Sequence, residues 1–379
     1  MKSPRYWVFM KFICNAAELS DAITKVIKAI PARAVAPVYE CVKIAAGREI
    51  IMLTATDGSF CIEKMISAKI ISDGEALVKG KFFSEFIKRI GDSELTAELS
   101  SDNALVLTYR DGETKINCLL GQSFPPSRDV DYNKTLKLKQ AELKKLINLV
   151  IFAAPNEDNE GARSSIKGCL LEITKNTLRL VALDGYRLAL AEKPLEQEEK
   201  EAKLIVPANV MKELANLLSD DDSSIILRAA TNKLELDMAH TIVTTALYTD
   251  DYVDYNRIIA SDDSTVITVS RKQLFESMER AAVLSREEKT PQVIFEIKEG
   301  ILSVKSAGNI GDVNEKLPVS LNGKDLSIAF NSKFITDCLK AVDDEYLKFR
   351  FTSSTVPAII QSVDNTKEYL FLVIPIRMY

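Results

Sequence analysis

The sequence predicts an α+β protein built from three tandem copies of one unit of about 125 residues, with amphipathic helices in one layer and antiparallel strands in the other. Three observations predict it. An Asp-Gly pair between apolar runs occurs as Asp57-Gly58 in MLTATDGSFCI and returns 127 residues later as Asp184-Gly185 in LVALDGYRLAL. A strand, a polar break and a helix recur at 77–90, 204–218 and 328–342, so that Phe82, Val210 and Phe334 fall in register, as do Phe86, Leu214 and Cys338. A second helix recurs at 17–30, 139–154 and 271–285, each time ahead of a strand pair.

Each element has a local reason. AELSDAITKVIKAI, KQAELKKLINLVIFAA and RKQLFESMERAAVLS place apolar residues at helical spacing, which gives one buried stripe. The strand pairs VYECVKIAAGREIIMLTAT, KGCLLEITKNTLRLVAL and QVIFEIKEGILSVKSA alternate with period two around small polar turns. Asp-Gly marks a tight turn because glycine accepts a positive φ. The third copy lacks the pair and carries Ala307-Gly308-Asn309 near that point. Pro or Ser/Asp clusters at 124–129 and 260–264 break the periodicity and mark linkers. The expected division is an extension at 1–9 and units at 10–132, 133–260 and 261–379. The second methionine, Met10, leaves residues 1–9 open to reading as an extension or as an alternative start.

Composition removes several classes. At 46% apolar and 27% charged residues, the chain is expected to fold as a soluble protein rather than stay disordered. No apolar run approaches the roughly 20 residues of a membrane span, and MKSPRYWVFMKF lacks the longer apolar core of a secretory signal. Cys14, Cys41, Cys61, Cys118, Cys169 and Cys338 show no close pair spacing, so reduced and mostly buried thiols are expected. His240 is the sole histidine, which removes His-rich metal sites and leaves a Ser-His-Asp triad without supporting motifs. Zinc-finger, phosphate-loop and dinucleotide motifs are absent. The carboxylates Asp220-Asp221-Asp222 and Asp343-Asp344 read as solvent-exposed turns after helices.

Charge is unevenly placed. The six predicted helices hold 14 basic and 8 acidic residues, a net of +6, within a chain of net charge −5. The remainder therefore carries −11. A helix layer of this kind attracts a polyanion that the other face repels. Lys88-Arg89 and Lys144-Lys145 are the densest helical pairs, and Arg33 sits in a loop between prolines. Arg187 follows the second Asp-Gly turn inside an apolar strand, and residue chemistry alone leaves it open as catalytic, structural or part of a docking surface. The chain end LFLVIPIRMY alternates Leu372, Ile374, Ile376 and Met378, with Pro375 barring a central ladder position, and so reads as an edge or frayed strand with an accessible apolar patch.

In repeat order, in the MKF start at Met10, in TATDG and LDGYRLA, and in the terminal VIPIRM, residues 10–379 resemble the bacterial DNA polymerase III beta subunit, or sliding clamp, family. The resemblance implies three DNA-clamp folds per chain in a cytoplasmic head-to-tail homodimeric ring, with helices lining the inside and antiparallel sheets outside. It implies no catalysis, no cofactor, no metal and no membrane. Twelve helices at about 10 Å each give an inner circumference near ~120 Å and a hole of roughly 30 Å, enough for a B-form duplex with its water. Retention by topology allows weak, sequence-blind contacts to the encircled double-stranded DNA.

The resemblance also assigns residues. Arg33, Lys88, Arg89, Lys144 and Lys145 would face DNA. A docking pocket for short motifs of the polymerase III catalytic subunit, the clamp loader and other clamp-binding proteins would use Arg163, Ile166, Leu183, Gly185, Tyr186, Arg187 and Leu188. Val253, Arg257 and Ile258 would join it, with Leu372, Ile374, Pro375, Ile376, Arg377 and Met378; Arg187 would be a rim cation for a peptide carbonyl or carboxylate. The dimer interface would use Ile116 and Cys118 against Val283 and Leu284. The sequence departs from the family pattern at Glu160, Asn209, Val253 and Leu183.

Overall fold

The computed structural model describes residues 10–120, 123–125, 130–155, 166–259, 262–284, 291–308, 311–364 and 369–378. Six helices appear where the apolar stripes place them: α1 (Ala16–Val26), α2 (Gly80–Lys88), α3 (Gln140–Val150), α4 (Ala208–Leu217), α5 (Arg271–Leu284) and α6 (Ser332–Lys340). α1 buries Ala16, Leu19, Ala22, Ile23 and Val26, one helical face, and its start is capped by Asn15, whose side chain accepts from the amides of Ala17 and Glu18. The sequence reading runs this helix to residue 30; the structure instead tightens it into a 3₁₀ turn at Ile27–Ala29. Each helical repeat also begins with a strand that the periodicity did not suggest: Lys11–Asn15, Lys134–Lys139 and Thr265–Ser270. These strands are short and lead straight into helices, so their two-residue alternation has little length in which to show.

Two compact units emerge: residues 1–140 with 221–247, and residues 141–220 with 248–379. The division cuts through the second sequence repeat. In the first unit, α1 packs on α2. A five-stranded sheet ends on the strand Gly112–Asn117, and an eight-stranded sheet joins the strands of the first repeat to Lys134–Lys139, Ser224–Ala230, Lys233–Asp237 and Thr241–Ala246 of the second. In the second unit, α5 packs on α6, beside a nine-stranded and a four-stranded sheet, the latter ending on Gly311–Pro318.

The two large sheets are made by the same joint. In the first unit, the strand after the first Asp-Gly turn, Phe60–Ser67, pairs antiparallel with Thr241–Ala246, the last strand of the second repeat. In the second, the strand after the second Asp-Gly turn, Arg187–Pro194, pairs with Tyr369–Val373, the last strand of the third. Among the described residues, the equivalent strand of the third repeat, Gly311–Pro318, has only Ile301–Gly308 beside it, and the last strand of the first repeat, Gly112–Asn117, has only Ala104–Tyr109. Both are open sheet edges.

Both Asp-Gly turns form as expected. Gly58 and Gly185 have φ of 99° and 91°. The Asp57 carboxylate accepts from the amides of Ser59 and Phe60, and Asp184 does the same for Tyr186 and Arg187. All six cysteines are free thiols; four are buried, and Cys61 and Cys118 are partly exposed. Asp344 corrects the expectation of solvent-exposed carboxylates after helices. It is buried, accepts from Ser362 Oγ at 2.7 Å, and its backbone carbonyl accepts from Arg271 Nε.

Candidate docking site and inter-repeat joint

The ladder that joins the second and third repeats also gathers the predicted pocket. Leu183 pairs with Leu188 across the turn, and Leu188 pairs with Leu372 on the next strand. These three lie in one buried apolar cluster with Val181, Leu190 and Tyr255, and Ile166, Tyr248, Tyr252 and Ile259 pack against it. Val253 and Ile258 stay exposed on the connecting segment that carries Tyr252 and Tyr255. Arg257, exposed as well, pairs with Asp254 at 2.9 Å.

The carboxyl-terminal strand differs from the sequence reading. It ends at Val373, and it lies inside the sheet between Arg187–Pro194 and Ala358–Ser362. Leu372 is therefore core, whereas Ile374, Arg377 and Met378 are exposed beyond the strand end. Pro375 stands beyond the strand end, so the edge reading does not hold, and the frayed-end reading is met only in that the ladder stops at Val373. The tail is still held: Ile374 N–H donates to the Tyr186 carbonyl at 2.9 Å, and Ile376 N–H to the Ala329 carbonyl at 2.7 Å.

Arg187 is a correction. It is 8% exposed and is no rim cation. Its Nε meets Asp184 at 3.0 Å and its Nη1 meets Asp337 of α6 at 2.6 Å. The guanidinium lies 4.7 Å from the Phe334 ring centroid and 5.4 Å from that of Phe152. A buried arginine needs such partners, because an unpaired buried charge is costly. Beside it, Tyr186 is 63% exposed and stacks on Phe334 at 6.0 Å. Gly185 has open space where a Cβ would sit, so its positive φ, rather than crowding, demands glycine. Arg163 lies outside the described residues, as does Glu160.

Sequence reasoning missed Asp337, Phe334 and the tyrosine anchors. Phe334 was legible in principle, since the repeat register aligns it with Phe82. Tyr255 could be found only in space. Its hydroxyl donates to Glu172 at 2.6 Å and accepts from Arg179 Nη1 at 2.9 Å, while Lys203 meets Glu172 at 3.2 Å. Burial pushes the Glu172 carboxyl up, but the hydrogen bonds from Tyr255 and Lys203 and the charges of Lys203 and Arg179 outweigh it and hold the group below its ordinary value. This network ties the segment bearing Val253 and Ile258 to the sheet.

The other predicted sets fare unequally. Arg33, Lys88, Arg89 and Lys145 are exposed; Arg89 pairs with Glu85 at 3.0 Å. Lys144 is half-buried and pairs with Asp220 at 2.7 Å. Val283 is 62% exposed and Leu284 half-buried at the end of α5, where Arg280 reaches Glu315 on the open strand Gly311–Pro318. Ile116 is corrected. It is 5% exposed, because strand alternation turns it into its own core, and Cys118 just beyond the strand is only partly exposed. Phe82 in that unit is 55% exposed and stacked on Phe86, which in turn meets Tyr109 edge-on at 6.1 Å.

Tandem helix-and-sheet repeats joined by shared ladders, with an apolar site at a joint, define a scaffold of the clamp class. Family models for the N-terminal, central and C-terminal domains of the DNA polymerase III beta subunit match residues 10–127, 137–254 and 256–377. The Beta sliding clamp of Streptococcus pneumoniae TIGR4 is 28% identical over 375 residues, 97% of this chain and 99% of that protein. The crystal structure of the Thermotoga maritima beta subunit superposes with a TM-score of 0.90 at 30% identity, covering 98% of this chain and all of that one, and that of a beta subunit from Eubacterium rectale with 0.91 at 27%, covering 97% and all. The chain belongs to the DNA polymerase III beta subunit family. It is a sliding clamp, a processivity subunit and not a catalytic one.

The Glu172 network generates a pH prediction. A carboxylate with a depressed folded pKa stabilises fully above its unfolded value, about 4.3 for glutamate, and that contribution is lost as pH falls through the folded pKa. Glu172→Gln is expected to cost about 1–3 kcal/mol at pH 7, and the gap in urea midpoint between the two proteins is expected to shrink at pH 3. A gap of equal size at both pH values would refute the assignment.

Proposed function

We propose that the chain acts as a head-to-tail homodimeric ring that encircles duplex DNA without sequence preference and tethers the replicative polymerase, the clamp loader and other motif-bearing proteins at the inter-repeat site. The observation that carries this reading is the repeated joint. The first repeat's strand after its turn takes the last strand of the second repeat, and the second repeat's takes that of the third. Among the described residues, the third repeat's strand, Gly311–Pro318, and the first repeat's last strand, Gly112–Asn117, are each left with one free edge. The same joint made between two chains satisfies both edges, and a heterologous contact repeated in this way closes when the rotation does. Phe82 of one chain is then covered as its register partner Phe334 is covered by Tyr186. The units of this reading are residues 10–132, 133–260 and 261–379.

The exposed cations Arg33, Lys88, Arg89 and Lys145, with the ion-paired Lys144, supply the inward charge. Modest charge suits a ring, because topological retention needs no tight phosphate grip. No helix among the described residues is long and apolar enough to cross a membrane, and the reading places the protein in the cytoplasm with the replication machinery. The docking surface combines a rigid floor of Leu183, Leu188 and Leu372 with the accessible Val253, Ile258, Tyr186, Ile374 and Met378. Arg187 acts there as a positioning residue, holding Tyr186 and α6 in place.

Three measurements test the reading. Protein loaded by a clamp loader is expected to stay on closed circular plasmid through gel filtration and to leave the same plasmid once it is linearised; equal retention would sink encirclement. Val283→Asp is expected to weaken dimerisation at least about 100-fold, the scale of a buried unpaired charge, seen as monomer mass by sedimentation; an unchanged dimer would sink that interface. Arg187→Ala combined with removal of residues 376–379 is expected to reduce affinity for a polymerase-tail peptide more than about tenfold, or 1.4 kcal/mol, with the dimer mass intact. Unchanged peptide affinity would overturn the docking assignment.

A further inference from the structure

Lys64 lies on Phe60–Ser67, the strand that follows the first Asp-Gly turn, opposite Leu53 on one side and Thr241 on the other. Strand alternation turns it to the same face as Phe60 and Ile62, both buried, and Leu53 and Thr241 beside it are buried too. Its stem therefore continues the core of the sheet, and the residue as a whole is half-buried. α1 packs against this strand. Other lysines of the unit pair with carboxylates: Lys11 with Glu98 at 2.7 Å, Lys25 with Asp21 at 2.8 Å and Lys43 with Glu75 at 2.6 Å. Among the described residues, no carboxylate pairs with Lys64.

The charges that act on Lys64 come from α1. Burial holds its amine below the ordinary lysine value, and the charge of Lys25 pushes it the same way, while Asp21 opposes. A half-buried amine without a counter-ion and beside a second cation is poorly stabilised as an ammonium ion, so more of it stands as the free base. An ordinary lysine, with a pKa of about 10.4, is only about 0.1% free base at pH 7.4. The free base is the nucleophile, and desolvation next to another cation activates a lysine in this way. The Lys25 ammonium donates to Asp21 Oδ2 and keeps further N–H groups for an anion that arrives beside Lys64.

We propose that Lys64 is a modification site, acylated by small acyl phosphates, with Lys25 as the positioning residue that holds the phosphate of the donor. The Nζ lone pair attacks the acyl carbon, and a C–N bond forms. The C–O bond to phosphate breaks, and inorganic phosphate leaves with the electron pair. The proton lost from the amine passes to solvent, and Lys64 ends as a neutral amide. The phosphate, negative throughout, is drawn to the Lys25 ammonium. Because the amine is half-buried, a donor of few atoms reaches it more readily than a bulky one. Acylation removes a cation that Lys25 repels.

The test is a time course of the full-length protein with acetyl phosphate at pH 7.4, with acetyl occupancy read at each lysine by mass spectrometry. Wild type, Lys25→Ala, Lys25→Arg and Asp21→Asn are compared; positions 21 and 25 lie on the outer flank of α1, where these changes leave the buried stripe intact. Lys64 is expected to react at least about fivefold faster than the median lysine of the chain, half a step or more in free-base fraction. Lys25→Ala is expected to slow Lys64 at least about threefold, Asp21→Asn to speed it, and Lys25→Arg to keep the wild-type rate, since arginine restores the cation. A side chain acting only as a steric cover would give the opposite sign for Lys25→Ala. Acetylation of Lys64 no faster than the median lysine overturns the site. A Lys64 rate that is unchanged or raised in Lys25→Ala, or lowered in Asp21→Asn, overturns the role of Lys25.

Discussion

The pairing of backbone edges between repeats is the constraint on which the rest depends. A β-strand with an unused edge carries unpaired amides and carbonyls that must find water or a partner. The chain meets this demand twice within itself, by laying the last strand of one repeat against the strand that follows the Asp-Gly turn of the repeat before it. Because a one-residue slip would turn Leu188 and Leu372 out of the core, register at the second joint is strongly held. The site exists because the joint does: Leu183 and Leu188 come from one repeat and Leu372 from another, and no single repeat contains the floor.

Arg187 is the side-chain counterpart of that backbone joint. Two carboxylates, one from its own turn and one from α6, share its charge, and two aromatic rings cover its faces. Removing one partner of such a buried pair typically costs about 3–5 kcal/mol, because the charge left behind has no water. The arginine thereby couples the shape of the turn, the stacking of Tyr186 on Phe334 and the seat of the chain end. In the proposed docking reading, a fixed floor with a few exposed apolar groups loses little conformational entropy when a peptide arrives.

The helix cations present a quieter field than a count of lysines suggests. Lys144, Arg89, Lys25, Lys333 and Arg280 all have carboxylate partners within 3.0 Å. Surface pairs such as Lys25–Asp21 and Arg89–Glu85 contribute little to stability, and all of these pairs reduce the charge available at long range. Weak and diffuse attraction is compatible with sliding in a way that a dense basic stripe is not.

Much was legible in the chain itself. Apolar spacing alone located all six helices to within a few residues, because each buries one face, and Asp-Gly located both turns, because glycine at positive φ is a local requirement. The repeat register aligned Phe334 with Phe82 before any contact was known. What the chain could not show was which residues meet across distance. The burial of Arg187 depends on Asp337, 150 positions away, and the inward turn of Ile116 on the phase of its strand. The short leading strands and the interior place of Tyr369–Val373 depend on partners supplied by other repeats. Local pattern reports the face an element wants to bury; only the tertiary fold decides what it is buried against, since that choice is made by pairing and packing between segments far apart in sequence.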